Sequence, residues 1–365
     1  MLKRLHIQNF TVFADADFAF GPGLNVLVGT NGTGKSHVLK LGYIAARVTA
    51  RILGDETPAD GPRNWEVYLA QRLKDVLQPE ELGDLVRWGA KSKSAAITVE
   101  FEDATKEKLA FGFASSAKQP AGAGKPPISV DAYPKQTTLS RAIFIPPKEV
   151  LTLAWLRAIY EKRVLPIDDT YPSLLDLLNE IPLRKLSPAT EKVLKSLERV
   201  LGGRIEVEGE RFYLVSKARK LEMNMVAEGV RKFALLERLL RNGVLTPNNV
   251  LFWDEPEANL NPLLLRELAK VLVELARHGF QIILATHSMS LLKQFHILSR
   301  KKSDLPLPLK YFGLNARTGH PTAVVTRDDF EYLPDVVALE VELEQADDLE
   351  EVFVQDDRKA HANRN

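Results

Sequence analysis

The apolar run Leu24-Asn25-Val26-Leu27-Val28 breaks directly into Gly29-Thr30-Asn31-Gly32-Thr33-Gly34-Lys35-Ser36, after which Val38, Leu39, Leu41, Ile44 and Val48 recur at helical spacing. A buried strand, a glycine-rich loop and a helix in immediate succession restrict the chain to an α/β architecture. The loop fits the phosphate-binding pattern G-x-x-x-x-G-K-[ST] in the context that pattern requires. Its glycines let the backbone wrap a phosphate, and the helix amino terminus presents free N–H groups and the positive end of its dipole. Gly29, Asn31, Gly32 and Gly34 are therefore candidate phosphate-cradling residues, Lys35 the candidate for the β and γ phosphates, and Ser36 the candidate Mg²⁺ ligand. A chance glycine-rich turn is the bland alternative, and it rarely falls between a buried strand and a helix.

Two later strand ends carry chemistry. Leu251-Phe252-Trp253-Asp254-Glu255 is an apolar strand closed by two acids. Asp254 suits a Mg²⁺ role and Glu255 the polarisation of an attacking water. Solvated acids at strand ends are common, so the pair draws its weight from the phosphate loop upstream. Ala285-Thr286-His287-Ser288 ends another apolar strand. His287 is a candidate γ-phosphate contact there, against the alternative of a buried, hydrogen-bonded core histidine. No H-x-E or H-x-x-x-H spacing points to a histidine metal site.

Elsewhere the pattern is regular. Ala95–Phe101 and Leu109–Phe113 read as a hairpin around 103–106, 115–127 as a low-complexity surface loop, and 63–89 as helical. Ala142–Ile145 reads as a strand, 149–200 as helical runs punctuated by prolines, and 204–215 as a small hairpin. From Gly229 onward helices and strands alternate, which argues for a largely parallel sheet. Asn261, Pro262 and Gly279 frame one helix as cap, first position and stop. Trp65, Trp88, Trp155 and Trp253 are read as core or interface. The 49 basic residues nearly cancel the 48 acidic ones, so no net field announces a nucleic-acid or membrane partner. With no cysteine, disulfides, Cys–Zn sites, Fe–S clusters and thiol nucleophiles are excluded. The amino terminus lacks a signal-peptide stretch, and no run approaches the ~18 apolar residues of a membrane span. The expectation is a cytoplasmic protein with no membrane partner.

Taken with these motifs, Asp254-Glu255-Pro256-Glu257-Ala258-Asn259-Leu260-Asn261-Pro262 resembles the Walker B and D-loop of the ATP-binding cassette (ABC) ATPases, in their SMC/RecF/OLD-like branch. Ala285-Thr286-His287-Ser288 resembles that branch's switch-histidine strand, and Ile7-Gln8-Asn9-Phe10 and 23–29 resemble its amino-terminal lobe. The resemblance covers residues 1–40 and 225–290. It implies an ABC-ATPase-like P-loop α/β fold with a mixed or parallel sheet core, an antiparallel amino-terminal β lobe and a helical insertion. The boundaries it suggests are an amino-terminal lobe over 1–148, the insertion over 149–200, a carboxyl-terminal lobe over 201–330 and an acidic tail over 331–365.

The resemblance also assigns roles. Ala227-Glu228-Gly229 stands where the family's signature motif opens a helix, with alanine in place of the usual serine. Either the γ-phosphate contact is weakened, or the backbone N–H groups of Glu228 and Gly229 suffice. Asn259 becomes a nucleotide-facing D-loop residue. The Q-loop glutamine is absent: Pro146-Pro147-Lys148-Glu149 follows the strand, so Lys148 or Glu149 takes its lobe-coupling or Mg²⁺-proximal role, or the loop is merely solvated. The implied activity is Mg²⁺-dependent ATP hydrolysis, with ATP and Mg²⁺ as cofactors, by a homodimer that sandwiches the nucleotide. The stretch between Gly29 and Gly229 is too short for SMC-type coiled arms, and the chain after His287 too short for an OLD-type nuclease domain. Such a lone subunit resembles ATPases that work beside a separate effector, a nuclease or toxin, in bacterial anti-phage defence. A DNA-repair or DNA-clamp ATPase of the RecF/SMC type is the alternative, with DNA or RNA left open as a partner.

Overall fold

The computed structural model describes residues 1–54, 61–89, 92–102, 108–118, 126–160, 165–333, 344–345 and 347–354. In chain order the elements are β1 (Leu2–Phe10), β2 (Phe13–Ala19), β3 (Leu24–Val28), α1 (Lys35–Gly54), α2 (Pro62–Leu77), β4 (Ser94–Phe101), β5 (Lys108–Ala114), β6 (Ser129–Ala132) and β7 (Arg141–Ile145). There follow α3 (Trp155–Tyr160), α4 (Thr170–Leu178), α5 (Pro188–Leu201), β8 (Arg204–Glu208), β9 (Arg211–Val215), β10 (Lys220–Glu222) and α6 (Glu228–Arg241). The last are β11 (Asn249–Asp254), α7 (Pro262–Arg277), β12 (Gln281–Thr286), α8 (Met289–Arg300), β13 (Leu309–Asn315) and β14 (Ala323–Arg327).

A six-stranded sheet in the order β14-β13-β3-β12-β11-β7 forms the centre. Its strands run parallel except β14, which closes one edge antiparallel. Strands covered on both faces read as continuous apolar runs, which is why β3, β11 and β12 are buried along their whole length. Alternate residues serve opposite cores. Leu24, Val26, Leu251, Trp253, Ile282 and Leu284 face a core shared with α4 to α8, whereas Leu27, Val250, Phe252, Ile283 and Ala285 face α1, α2 and the antiparallel sheet β2-β1-β4-β5-β6. Asn25, the polar exception in β3, is buried and bonds the chain around it: its side chain accepts from Gly21 N–H and donates to the carbonyls of Gly21 and Gly23.

The helical segment after β7 packs into the first of these cores through Leu174, Leu175, Leu178, Val193, Leu194 and Leu197. Asp169, at the start of α4, fastens it to the other side of the sheet. Its carboxylate accepts from Arg72, from Ser173 Oγ at 3.0 Å and from Tyr160 OH at 3.0 Å, with Arg47 at 3.5 Å, so α1, α2 and α4 meet on one buried charge.

Several local expectations change. The 63–89 helical pattern splits into α2 and a 3-10 turn at Leu82–Leu85, because Gln78 turns left-handed and ends the helix. Strands β6 and β10 carry too little apolar alternation to be read from sequence, and exist as edges completed by β5 and β9. Residues 115–118 are not free loop: Gly83 N–H donates to Ala117 O. Residues 119–125, and the hairpin turn at 103–106, lie outside the described residues. Trp65 and Trp253 are core, while Trp88 is 95% exposed and Trp155 is also exposed. Of the acidic tail, 331–333 still belongs to the folded body, with Leu333 buried, and 347–354 is an exposed helical stretch.

Candidate nucleotide site

Strands β3, β12 and β11 are neighbours running in one direction, with Val28 beside Thr286 and Ala285 beside Asp254. Whatever follows each strand therefore emerges on the same edge of the sheet, where open α/β sheets place their ligands. Three segments distant in sequence meet there: the glycine-rich loop, the turn begun by Glu255, and His287.

The loop is held in a form that only glycine supports. Gly34 has φ +93°, and a Cβ there would meet the side chains of Val12 and Phe13 at 2.6–2.7 Å. Lys35 is buried, and its Nζ donates to Gly29 O at 2.7 Å and Thr30 O at 2.9 Å. Burial lowers its pKa, and the charges of Asp254, Glu255 and Glu257 oppose that fall. The Ser36 hydroxyl donates to the Asp254 carboxylate. Asp254 is buried, which raises its pKa, while the Ser36 bond and the charges of Lys40 and Lys35 work the other way. Asn31 and Gly32 lie exposed at the rim of the loop.

Glu255 follows β11 in the left-handed region at φ +50°, its N–H donating to Ala285 O. A non-glycine residue there costs on the order of 1–3 kcal/mol and persists only where its surroundings dictate it. Its carboxylate is one-third exposed, 3.6 Å from Nδ1 of His287. His287 is 51% exposed, which disposes of the buried core histidine as an explanation.

Ala227, Glu228 and Gly229 adjoin the acidic turn rather than the glycine-rich loop. Among the described residues, no hydrogen bond or ion pair joins them to 29–36. Ala227 caps α6 without a side-chain bond, and it and Glu228 are exposed. Gly229 is buried against the turn after Glu255, where a Cβ would meet Asn259 O and Leu260 Cδ2 at 3.1 Å. Asn259, with φ +60°, donates from Nδ2 to Glu228 Oε1 at 2.7 Å. The side chain assigned to nucleotide thus has a partner in the signature segment of its own chain.

The residue after β7 that matters is Glu149, and it is not solvated. Its carboxylate accepts from Leu151 N–H and Thr152 Oγ1, and lies 3.2 Å from Arg231 Nη1 on α6. Lys148 is exposed. The neighbouring Lys232 is buried and donates to Glu255 O at 3.2 Å and Pro256 O at 3.0 Å, so α6 grips both the segment after β7 and the acidic turn. Neither Arg231 nor Lys232 was legible as a site residue. The available signal was periodicity: Gly229, Lys232, Phe233, Leu236 and Leu240 share one helical stripe, so a lysine there faces the interior. Glu257 was seen only as part of a motif; it is buried and accepts from Thr286 Oγ1 and His287 N–H.

Fold and motifs together define an AAA-type ATPase domain with an ABC-type fold like that of SMC heads. The chain belongs to the family described as "AAA domain, putative AbiEii toxin, Type IV TA system", whose model matches residues 105–293. A second model, described as an AAA domain, matches residues 4–145. The crystal structure of an SMC head bound to the C-winged helix domain of ScpA superimposes with a TM-score of 0.52 at 14% identity, covering 90% of this chain and 98% of that one. The SMC head domain from Thermotoga maritima gives 0.49 at 15% identity, over 89% of this chain and 98% of that one. The DNA replication and repair protein RecF of Paenarthrobacter aurescens (strain TC1) is 38% identical over 55 residues, 15% of this chain and 14% of that protein. The match thus spans only a small part of that relative's length. Among the described residues, no helix is long and apolar enough to cross a membrane.

Proposed function

We propose that this protein hydrolyses ATP in a Mg²⁺-dependent reaction, as a homodimer that closes around nucleotide and thereby controls a separate effector protein. The observation that carries the reading is the convergence of Lys35, Ser36, Asp254, Glu255 and His287 on one edge of the sheet. Ser36 and Asp254 fit a Mg²⁺ ion, since a hydroxyl and a carboxylate already in contact are hard oxygen donors of the kind it takes. When bound there, Mg²⁺ supplies charge neutralisation at the phosphate oxygens.

The chain's own residues do the rest. The loop backbone at 29–34 and the start of α1 orient the phosphates, and the Lys35 ammonium supplies a charge fixed in place by two carbonyls. Glu255 accepts the proton of the attacking water, its carboxylate aimed by a turn that Lys232 holds from behind. His287 contacts the γ-phosphate across from Glu255. The exposed tip at Ala227-Glu228 is free to meet the nucleotide of a second copy. A separate toxin or nuclease effector and a role in anti-phage defence are part of this proposal; the family description, which itself names a putative toxin and a toxin–antitoxin system, is compatible with a place in such a system. The RecF match favours a second reading, a DNA-repair or DNA-clamp ATPase, which DNA-stimulated turnover would support.

Phosphate release tests the core of this reading. Wild-type protein should turn over ATP only with Mg²⁺, and Glu255→Gln should keep nucleotide bound while slowing turnover by roughly 10²-fold or more, as removal of a general base does. Turnover of Glu255→Gln at the wild-type rate would remove Glu255 from the chemistry.

A further inference from the structure

Glu257 sits two residues beyond Glu255, in a turn closed by bonds from Ala258 N–H to Glu255 O and from Leu260 N–H to Glu257 O. It is 8% exposed. A carboxylate that deep is costly unless it is bonded and its charge compensated. The bonds all fall on one oxygen: Oε1 accepts from Thr286 Oγ1 at 2.6 Å and from His287 N–H at 3.2 Å, and lies 3.7 Å from His287 Nδ1. Oε2 is buried with no hydrogen-bond partner. Compensation comes from Lys232, on which Glu257 is the largest favourable charge, and from Lys35. One short side chain therefore spans from the turn carrying Glu255 to the end of β12 carrying His287.

Among the described residues, the hydrogen bond that His287 itself makes is the one from its N–H to Glu257. The imidazole is half exposed, and its ring meets only the carboxylates of Glu255 and Glu257 among the described residues. Its backbone leaves the sheet at Thr286, whose hydroxyl is committed to Glu257 and accepts in turn from Ser288 N–H. We infer that Glu257 is a positioning residue, a brace between the acidic turn and the end of β12 that holds His287 against Glu255. This rests on the ATPase reading above and deepens it: any displacement of the turn is passed directly to His287. Since the brace is made by hydrogen bonds to Oε1, an amide oxygen in the same place can make it too.

The test uses full-length wild-type protein, Glu257→Ala, Glu257→Gln and Thr286→Val. Steady-state ATP turnover is measured with melting temperature, together with NMR of ¹³C-labelled histidine, the His287 resonance being assigned by His287→Gln. Glu257→Ala should lower kcat about tenfold or more with KM for ATP within about twofold, as loss of orientation without loss of binding does. Glu257→Gln should recover kcat to within about threefold of wild type. Thr286→Val, which removes one donor and keeps the volume, should fall between the two. If Glu257→Ala does not fold, the pair Glu257→Gln and Thr286→Val still decides. Wild-type kcat in Glu257→Ala or in Thr286→Val, or a Glu257→Gln variant as impaired as the alanine, overturns the brace. If wild-type protein has no ATP turnover, the ATPase reading fails on its own account and the resonance decides. A His287 signal displaced by Thr286→Val supports the brace; a signal unmoved by Thr286→Val overturns it.

Discussion

Lys35 is a cation that the fold places among carbonyls and close to three carboxylates. On the proposed reading its ammonium is the loop charge that meets phosphate, so Lys35→Ala should abolish ATP binding as read by isothermal titration. Wild-type affinity in that variant would leave the glycine-rich loop without its assigned role. His287 makes a different prediction because it is half exposed and outside both cores. His287→Ala should lower turnover about tenfold or more while changing stability by no more than about 0.5 kcal/mol, the usual range for exposed substitutions. A variant with normal turnover and a depressed melting temperature would return His287 to a structural role. The residues of the loop, the two acids and the histidine were legible because their chemistry depends on type and local order. Lys232, Arg231 and Glu257 were not, since their partners lie on other elements and no spacing within one element discloses them.

At the level of elements, α6 is the member that touches most of the site's parts. Arg231 reaches Glu149 after β7 and the carbonyl of Val226, while Lys232 reaches the carbonyls of Glu255 and Pro256. Burial pushes the Lys232 ammonium down from 10.5 to about 8, against the favourable charges of Glu257, Glu228 and Glu255. The folded state therefore binds fewer protons than the unfolded chain between those two values. Stability at this site should consequently rise with pH from about 8 to about 10.5, its cost being constant below that window. Urea denaturation across this range should show a slope that disappears in Lys232→Met; equal slopes in both proteins would mean that the fold does not disfavour the lysine's charge. Strand and helix placement followed the apolar periodicity closely, with α7 beginning at Pro262 after its Asn261 cap as expected. The misplaced elements were short edges, where pairing to a neighbour rather than side-chain pattern makes the strand.

For the whole molecule, no hydrogen bond or ion pair among the described residues joins the glycine-rich loop to the start of α6, and the proposed composite site would bring the two together between copies. Gly229 is the wrong place to test this, because a side chain there would strike the chain's own Asn259 and Leu260. Ala227 is exposed and makes no side-chain cap bond, so bulk can be added without loss of a contact. In a Glu255→Gln background, ATP with Mg²⁺ should drive dimer formation seen by sedimentation velocity, and Ala227→Arg should prevent it. Mixing Ala227→Arg with Lys35→Ala should restore one nucleotide-bound interface of the two. A mass that does not respond to ATP, with no recovery in the mixture, would confine Ala227-Glu228-Gly229 to starting a helix.

The order of residues alone determined that a glycine-rich loop, two acids and a histidine would follow buried strands, because those signals are local: glycine conformation, apolar runs and the residue at a strand's end. Which strands lie side by side is a tertiary matter. Only the sheet order β3-β12-β11 brings Lys35, Glu255 and His287 to a common edge, and only packing of α6 and the acidic turn gives Lys232 and Glu257 their partners. A buried charge takes its role from the groups that compensate it, and these come from elements far apart in the chain.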